Sequence, residues 1–350
     1  LPVNQDNFDS VVAAINKKYE GDLRNGDSYE HPQRISFGSL ALDVASGGGL
    51  PWGRVSRLYG PYSSTKSLTA WNVIREAQEE GYSCCYWNIE KAYDPEFVRD
   101  NMGVDIDELL VMEGSTIEEI GEKLEALLGV VHLHVIDSAS QAVSVDELNA
   151  KPEDWRPGIG ARAWGKVFRR INDRFDHTEN TIVLLDQVRV NFKTSAEEAP
   201  GGKILDHASS MSMKFRKGGW LFYNSHGYLD DPKKKAKSER IEMTDDLEPD
   251  GLIIKARVEK SRVCRPLIPA EMRLDFQTVQ FDRIFEFVEA AKAYGVVENR
   301  GGGNYYYPTQ SNGKKQMHLR GEAALRELVM GDLTLQREIR KAALARARQR

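Results

Sequence analysis

Residues 54–60, RVSRLYG, lead into Pro61-Tyr62-Ser63-Ser64-Thr65-Lys66-Ser67, and residues 67–81, SLTAWNVIREAQEEG, follow. A strand, a loop of small residues opening at Gly60 and a helix, in that order, form the setting of a phosphate-binding loop. Loop N–H groups and the positive end of the helix face a phosphate chain. Lys66 reaches its terminal oxygens, and the Ser67 hydroxyl is offered to Mg²⁺. The candidate phosphate-binding residues are therefore Gly60, Pro61, Tyr62, Ser63, Ser64, Thr65, Lys66, Ser67 and Leu68. The usual pattern has glycine directly before the lysine. Here that place is Thr65, so a Cβ sits where the loop turns tightly. A serine-rich turn ahead of a helix is the other reading of these residues.

The neighbouring segments alternate. SCCYWNIE (83–90), a helical stretch at 116–128, VVHLHVID (130–137), a long helical span after Gly165 and NTIVLLDQV (180–188) follow one another. Apolar strands separated by amphipathic helices predict an α/β fold with a mainly parallel sheet. GLIIKARVEKS (251–261) and EMRLDFQTVQF (271–281) predict an antiparallel extension. Three strands end in groups with chemistry. Asp137 fits the carboxylate that orients a water on Mg²⁺, Glu90 sits where a water attacking a terminal phosphate can be activated, and Gln187 supplies an amide able to sense that phosphate. Each is an ordinary edge residue by itself. Together with the loop they gather polar groups at strand ends, where open α/β sheets bind ligands, and so favour a nucleoside triphosphatase.

The chain has 350 residues, 41% of them hydrophobic, with 48 Lys plus Arg against 53 Asp plus Glu and a net charge of −5. That composition supports a sizeable core and argues against a histone-like binder, so an anionic partner has to be met by local patches. Residues 311–350 carry ten basic and four acidic side chains, a net of +6, which leaves −11 on residues 1–310. No apolar run approaches the roughly 20 residues of a membrane span. Cys84, Cys85 and Cys264 are too few and too poorly spaced for a disulfide frame or a zinc site. A soluble protein of a reducing compartment is expected.

Three regions are expected. In residues 1–34, NFDSVVAAINKKYE (7–20) puts Phe8, Val11, Val12, Ile15 and Tyr19 on one helical stripe, ahead of a polar linker. That stripe either folds onto its own core or lies as an arm on a neighbouring subunit. Residues 35–282 form the core, with a charged insert at 230–251 read as a solvated hairpin or mobile loop. Residues 283–350 read as a small α+β lobe with a basic helical end.

Three segments taken together resemble the RecA family of homologous-recombination ATPases, nearest to phage-encoded members. They are ISFGSLALDVASGGGLPWGRVSRLYGPYSSTKS (35–67), EKAYDPEFVRDNMGVDIDELL (90–110) and VEKSR (258–262), and the likeness extends over about residues 8–297. The resemblance implies a RecA-like P-loop ATPase core with an N-terminal helical arm and a small C-terminal lobe. It makes Glu90 the residue that activates the attacking water, and it gives Asp94 and Phe97 to the adenine. Phe97 read alone is a core aromatic. Lys260 and Arg262 correspond to basic residues that reach a neighbour's γ-phosphate; read alone they are two solvent-facing charges on a strand.

The family's two DNA loops correspond to residues 149–160 and 191–205. The first brings Trp155, Arg156 and Pro157 and leads into Arg162 and Arg169, seven apart on one helix face. The second follows Arg189 and carries Gly201 and Gly202, whose bare backbone can approach phosphates. Without the resemblance both are surface connections. Lys255 and Arg257 correspond to a weaker second DNA site. His207 stands where relatives carry an aromatic residue that transmits the nucleotide state, and Asp206 replaces a basic neighbour. The basic C-terminus differs from the acidic tail of bacterial relatives.

The expected protein is thus an ATP- and Mg²⁺-dependent strand-exchange recombinase. It would form filaments on single-stranded DNA, with ATP between subunits, pair that strand with homologous duplex for recombination and repair, and act in the cytoplasm of a bacterial or phage-infected cell. A RecA-fold ring helicase or motor, and a nucleotide-gated DNA-binding scaffold with weak hydrolysis, are the alternatives.

Overall fold

A computed structural model describes residues 5–18, 33–114, 116–151, 158–175, 180–190, 197–198, 202–232, 248–308 and 316–349. Residues 1–33 and 34–350 make two units. In the first, helix α1 (Gln5–Lys18) ends in Lys17 and Lys18, cations placed at the negative end of the helix. Of the expected stripe, Val12 and Ile15 are half-buried and Val11 is exposed. Tyr19, the Phe8 side chain and the linker up to residue 32 lie outside the described residues, as does 233–247 of the charged insert.

The second unit is built on a ten-stranded sheet. Its strands are β1 (Val55–Gly60), β2 (Cys84–Asn88), β3 (Leu109–Met112), β4 (Leu133–Asp137), β5 (Thr181–Gln187), β6 (Met211–Tyr223), β7 (Leu229–Asp230), β8 (Gly251–Ser261), β9 (Pro269–Asp275) and β10 (Gln280–Phe281). The spatial order is β10-β9-β8-β6-β1-β5-β4-β2-β3, with β7 beside β6. From β6 to β3 all neighbours are parallel, and from β6 to β10 all are antiparallel. This is the mainly parallel α/β core and antiparallel extension that the hydrophobic pattern predicts. The segment 271–281 breaks into β9 and β10 around a turn.

Around the sheet lie α2 (Leu40–Ala45), α3 (Lys66–Glu79), α4 (Pro95–Met102), α5 (Ile117–Leu127), α6 (Ile159–Phe175), α7 (Gly202–Ala208), α8 (Arg283–Ala293), α9 (Glu322–Gly331) and α10 (Leu333–Gln349). The period of two along each strand splits the core between the two faces. Cys84, Tyr86, Leu133, Val135, Val183 and Leu185 pack with Ile74 of α3 and Met102 of α4. Their alternates Cys85, Trp87, Ile136, Ile182 and Leu184 pack with Leu124 of α5 and Trp164 of α6. With both faces covered, the strands read as near-continuous apolar runs.

Helix α6 starts at Ile159, earlier than the expected start after Gly165. Gly165 is interior because α7 comes close there: a Cβ on Gly165 would lie 3.2 Å from Ile204 Cγ2. Glycine near a helix start and glycine at a helix crossing look the same in a sequence.

The C-terminal segment, with β11 (Glu298–Asn299), β12 (Asn304–Pro308) and β13 (Gln316–Arg320) as a small antiparallel sheet, has its own apolar cluster. Leu40 of α2 belongs to that cluster, which ties the segment to the core. Polar ties add to it. Ser39 Oγ donates to both Glu286 carboxylate oxygens at 2.9 Å, and Arg340 pairs with Asp43 at 2.9 Å. Burial pushes the Glu286 carboxyl up to about 8, against the hydrogen bonds from Ala41 and Ser39. Burial also raises Asp43 to about 6, with Arg340 pulling it back.

Candidate nucleotide-binding site

The loop leaves the sheet at Gly60, the last residue of the central strand β1. A Cβ at Gly60 would stand 2.4 Å from the carbonyl oxygen of Phe215 on β6, so only glycine fits beside that strand. Ser63 and Thr65 have φ of 52° and 65°, in the left-handed region. Thr65 is the N-cap of α3 and makes no side-chain cap; its Oγ1 donates to the Ser64 carbonyl at 2.7 Å instead. The first-turn N–H groups of α3 are therefore left to a ligand. Lys66 Nζ lies within the loop, donating to the carbonyls of Pro61 at 2.9 Å and Gly60 at 3.1 Å. Burial lowers the Lys66 pKa, and Asp137 and Glu90 oppose that.

The strand ends supply the other wall. Ser67 Oγ donates to Asp137 Oδ2 at 2.8 Å, and Tyr86 OH donates to the same oxygen at 2.9 Å. Burial raises the Asp137 pKa while these two hydrogen bonds lower it. The Asp137 carbonyl accepts from the N–H groups of Ile89 and Glu90, at 3.0 and 3.1 Å, which sets the turn carrying Glu90. Ser138 Oγ donates to Glu90 Oε1 at 2.5 Å and Gln187 Nε2 donates to it at 3.0 Å. Tyr62, Ser63, Ser64, Thr65, Lys66, Ser67, Leu68, Glu90, Asp137, Ser138 and Gln187 line one cavity of about 190 Å³. The loop, Glu90, Asp137 and Gln187, separate in the sequence, are brought together here.

The donor set fits Mg²⁺. A hydroxyl and a carboxylate are hard oxygen ligands, and this ion takes few protein ligands beside phosphate and water. Among the described residues no group of three or more His, Cys, Asp or Glu is placed to hold a metal by itself.

Other expected residues lie elsewhere. Asp94 is the N-cap of α4, its Oδ1 accepting from the N–H groups of Glu96 and Phe97 at 3.1 Å, and Phe97 is 36% exposed; neither lines the cavity. Lys260 Nζ donates to the carbonyls of Asp206 and Ser209, and Arg262 Nη2 donates to the His207 carbonyl at 3.0 Å. Within this chain both cations thus sit on the end of α7. Arg162 and Arg169 are exposed on α6 and border one cavity with Lys166, Ile204 and His207. Gly202 opens α7, and Arg189 lies in the short strand Arg189–Val190, paired with Glu197–Glu198. Trp155, Arg156, Pro157 and Gly201 lie outside the described residues.

Sequence reasoning did not find Ser138, Tyr86 or the fully buried Arg57, which bonds to Asp186 at 2.5 Å and to Asp206 at 2.9 Å. Tyr86 had a usable signal, since two residues before Asn88 it shares the face of β2 that α3 covers. An arginine inside an apolar strand was the signal for Arg57.

A phosphate-type loop on the central strand, with a carboxylate and an amide at nearby strand ends, defines a P-loop protein with a RecA-like core. The family pattern of the RecA N-terminal domain matches residues 7–244. Protein RecA of Methylobacterium sp. (strain 4-46) is 29% identical over 332 residues, covering 90% of this chain and 82% of its own. Protein RecA of Chlorobaculum tepidum is 30% identical over 335 residues, 91% and 86% of the two chains. Protein RecA of Arthrobacter sp. (strain FB24) reaches 36% over 225 residues, 62% and 64%. The chain belongs to the RecA family.

Proposed function

We propose that this chain is an ATP-dependent recombinase of homologous recombination and repair, which assembles on single-stranded DNA and pairs it with homologous duplex. The observation that carries this is the convergence of Lys66, Ser67, Asp137, Glu90 and Gln187 on one cavity in a chain of the RecA family. That membership and the VEKSR segment speak against a ring motor. The complete set of hydrolytic groups speaks against a scaffold.

ATP is the nucleotide. The α3 N-terminus and Lys66 hold its β- and γ-phosphates, and Asp94 and Phe97 hold the adenine. Ser67 and Asp137 hold Mg²⁺, which when bound neutralises charge on the phosphate oxygens. Glu90 takes the proton from the attacking water. Ser138 and Gln187, both donating to Glu90 Oε1, fix the direction of the carboxylate. Gln187 also senses the γ-phosphate, so filling the site is felt at the general base. Lys260 and Arg262 serve the γ-phosphate of the adjacent subunit in a helical assembly. Trp155, Arg156, Pro157, Arg162, Arg169, Arg189, Gly201 and Gly202 contact the DNA backbone; sequence matching is left to base pairing.

Residues 1–34 act as the oligomerisation arm, 35–282 as the ATPase and DNA-binding core, and 283–350 as a C-terminal domain of a cytoplasmic protein. Among the described residues no helix is long and apolar enough to cross a membrane.

The test is ATP turnover with and without single-stranded DNA at two salt concentrations. Strong stimulation that fades with salt is the expected result. A rate indifferent to DNA would refute the proposal.

A further inference from the structure

The C-terminal end of α7 is gripped three times from within its own chain. Arg57, buried in β1, donates through Nη1 to Asp206 Oδ1 at 2.9 Å and through Nε to Asp186 Oδ2 at 2.5 Å. Lys260 donates to the carbonyls of Asp206 and Ser209, and Arg262 to that of His207. These are the carbonyls a helix end leaves without partners, and cations there also oppose the negative end of the helix. Asp186 is next to Gln187 in β5, while Asp206 closes the last turn of α7. One guanidinium therefore joins the strand that senses the γ-phosphate to the helix that ends the second expected DNA loop. Burial lowers the Lys260 pKa, with Arg262 adding to that. Its ammonium thus gains from any additional negative partner.

We propose that α7 is a latch: Arg57 with Asp206, and Lys260 with Arg262, hold it in cis, and the latter pair leaves it when a neighbouring subunit offers a triphosphate. This rests on the recombinase reading above. The new element is competition, since the two cations cannot serve the α7 carbonyls and a neighbour's phosphate together. Nucleotide at the interface then loosens one side of α7, and the Arg57–Asp206 pair sets how far it moves. The acidic Asp206 fits this chain because its partner, Arg57, is a buried base.

The experiment uses the full chain and two readouts. Asp206→Ala removes a half-exposed side chain (47% exposed) and leaves Arg57 paired with Asp186. Amide hydrogen exchange of α7 and Ser209, without nucleotide, is expected to rise about tenfold, the loss of one charge-assisted hydrogen bond. DNA-free ATP turnover is expected to rise several-fold, so that the stimulation ratio falls. Exchange within twofold of the unaltered protein would overturn the latch. Faster exchange with an unchanged stimulation ratio would reduce it to a structural clamp and overturn the coupling. Lys260→Ala, read by exchange alone, is expected to loosen the same amides, and no loosening counts against the cis grip. If the unaltered protein shows no DNA stimulation, the recombinase reading falls and the latch is judged on exchange.

Discussion

Gln187 and Glu90 are 97 residues apart in the chain, yet Gln187 Nε2 donates to Glu90 Oε1 at 3.0 Å. Strand β4 runs between the strands that carry them, and its Ser138 completes the arrangement on the same oxygen. A phosphate that draws Gln187 away therefore changes what holds Glu90.

Glu90→Gln keeps the size of the side chain and removes the base. DNA-stimulated turnover should fall about 10²–10⁴-fold while nucleotide affinity stays within about twofold. Steady-state hydrolysis and a binding titration measure the two. Near-normal turnover would take Glu90 out of the chemistry.

Thr65 holds a φ of 65°, a left-handed conformation unfavourable for a β-branched residue by about 1–2 kcal/mol. Thr65→Gly relieves this, and the more flexible unfolded chain takes back about 0.4–1 kcal/mol. A small rise in thermal stability, near 1 kcal/mol, is expected, with ATP turnover unchanged or higher. A lower Tm would show that the threonine is well accommodated.

Arg162 and Arg169 are exposed on the same side of α6. Replacing either with Ala should leave stability within about 0.5 kcal/mol. It should also flatten the dependence of single-strand affinity on log salt by about 0.7 for each phosphate no longer neutralised. Fluorescence anisotropy over a salt series measures the slope, and an unchanged slope places the DNA path elsewhere.

Glu286, buried against Ser39 and Ala41, has its carboxyl raised from 4.5 to about 8. The folded protein holds this proton where the unfolded chain has lost it. The stabilisation is therefore full below pH 4.5 and is lost as pH rises towards 8. Asp43, raised to about 6, acts in the same direction at lower pH. Glu286→Gln mimics the protonated form, so its Tm should fall less than that of the unaltered protein between about pH 6 and 8.5. The difference should reach on the order of 1–3 kcal/mol at the upper end. Parallel melting profiles would remove Glu286 as the titrating group.

The order of strands and helices, the loop after β1 and the strand-end positions of Glu90, Asp137 and Gln187 could be read from the sequence. Each depends on periodicity or on the junction of one element with the next, and neighbouring residues carry that information. The α6 start was read too late because Gly165 serves a crossing with α7, a partner distant in the chain. Only the tertiary structure decided that Ser138 and Gln187 share one oxygen of Glu90, and that Tyr86 reaches Asp137. It also decided that Arg57 finds Asp186 and Asp206, 129 and 149 residues away. Lys260 and Arg262 show the limit most clearly. What they grip is backbone carbonyl, which every residue possesses, so no side-chain pattern could announce it; the fold alone leaves those acceptors open at the end of α7.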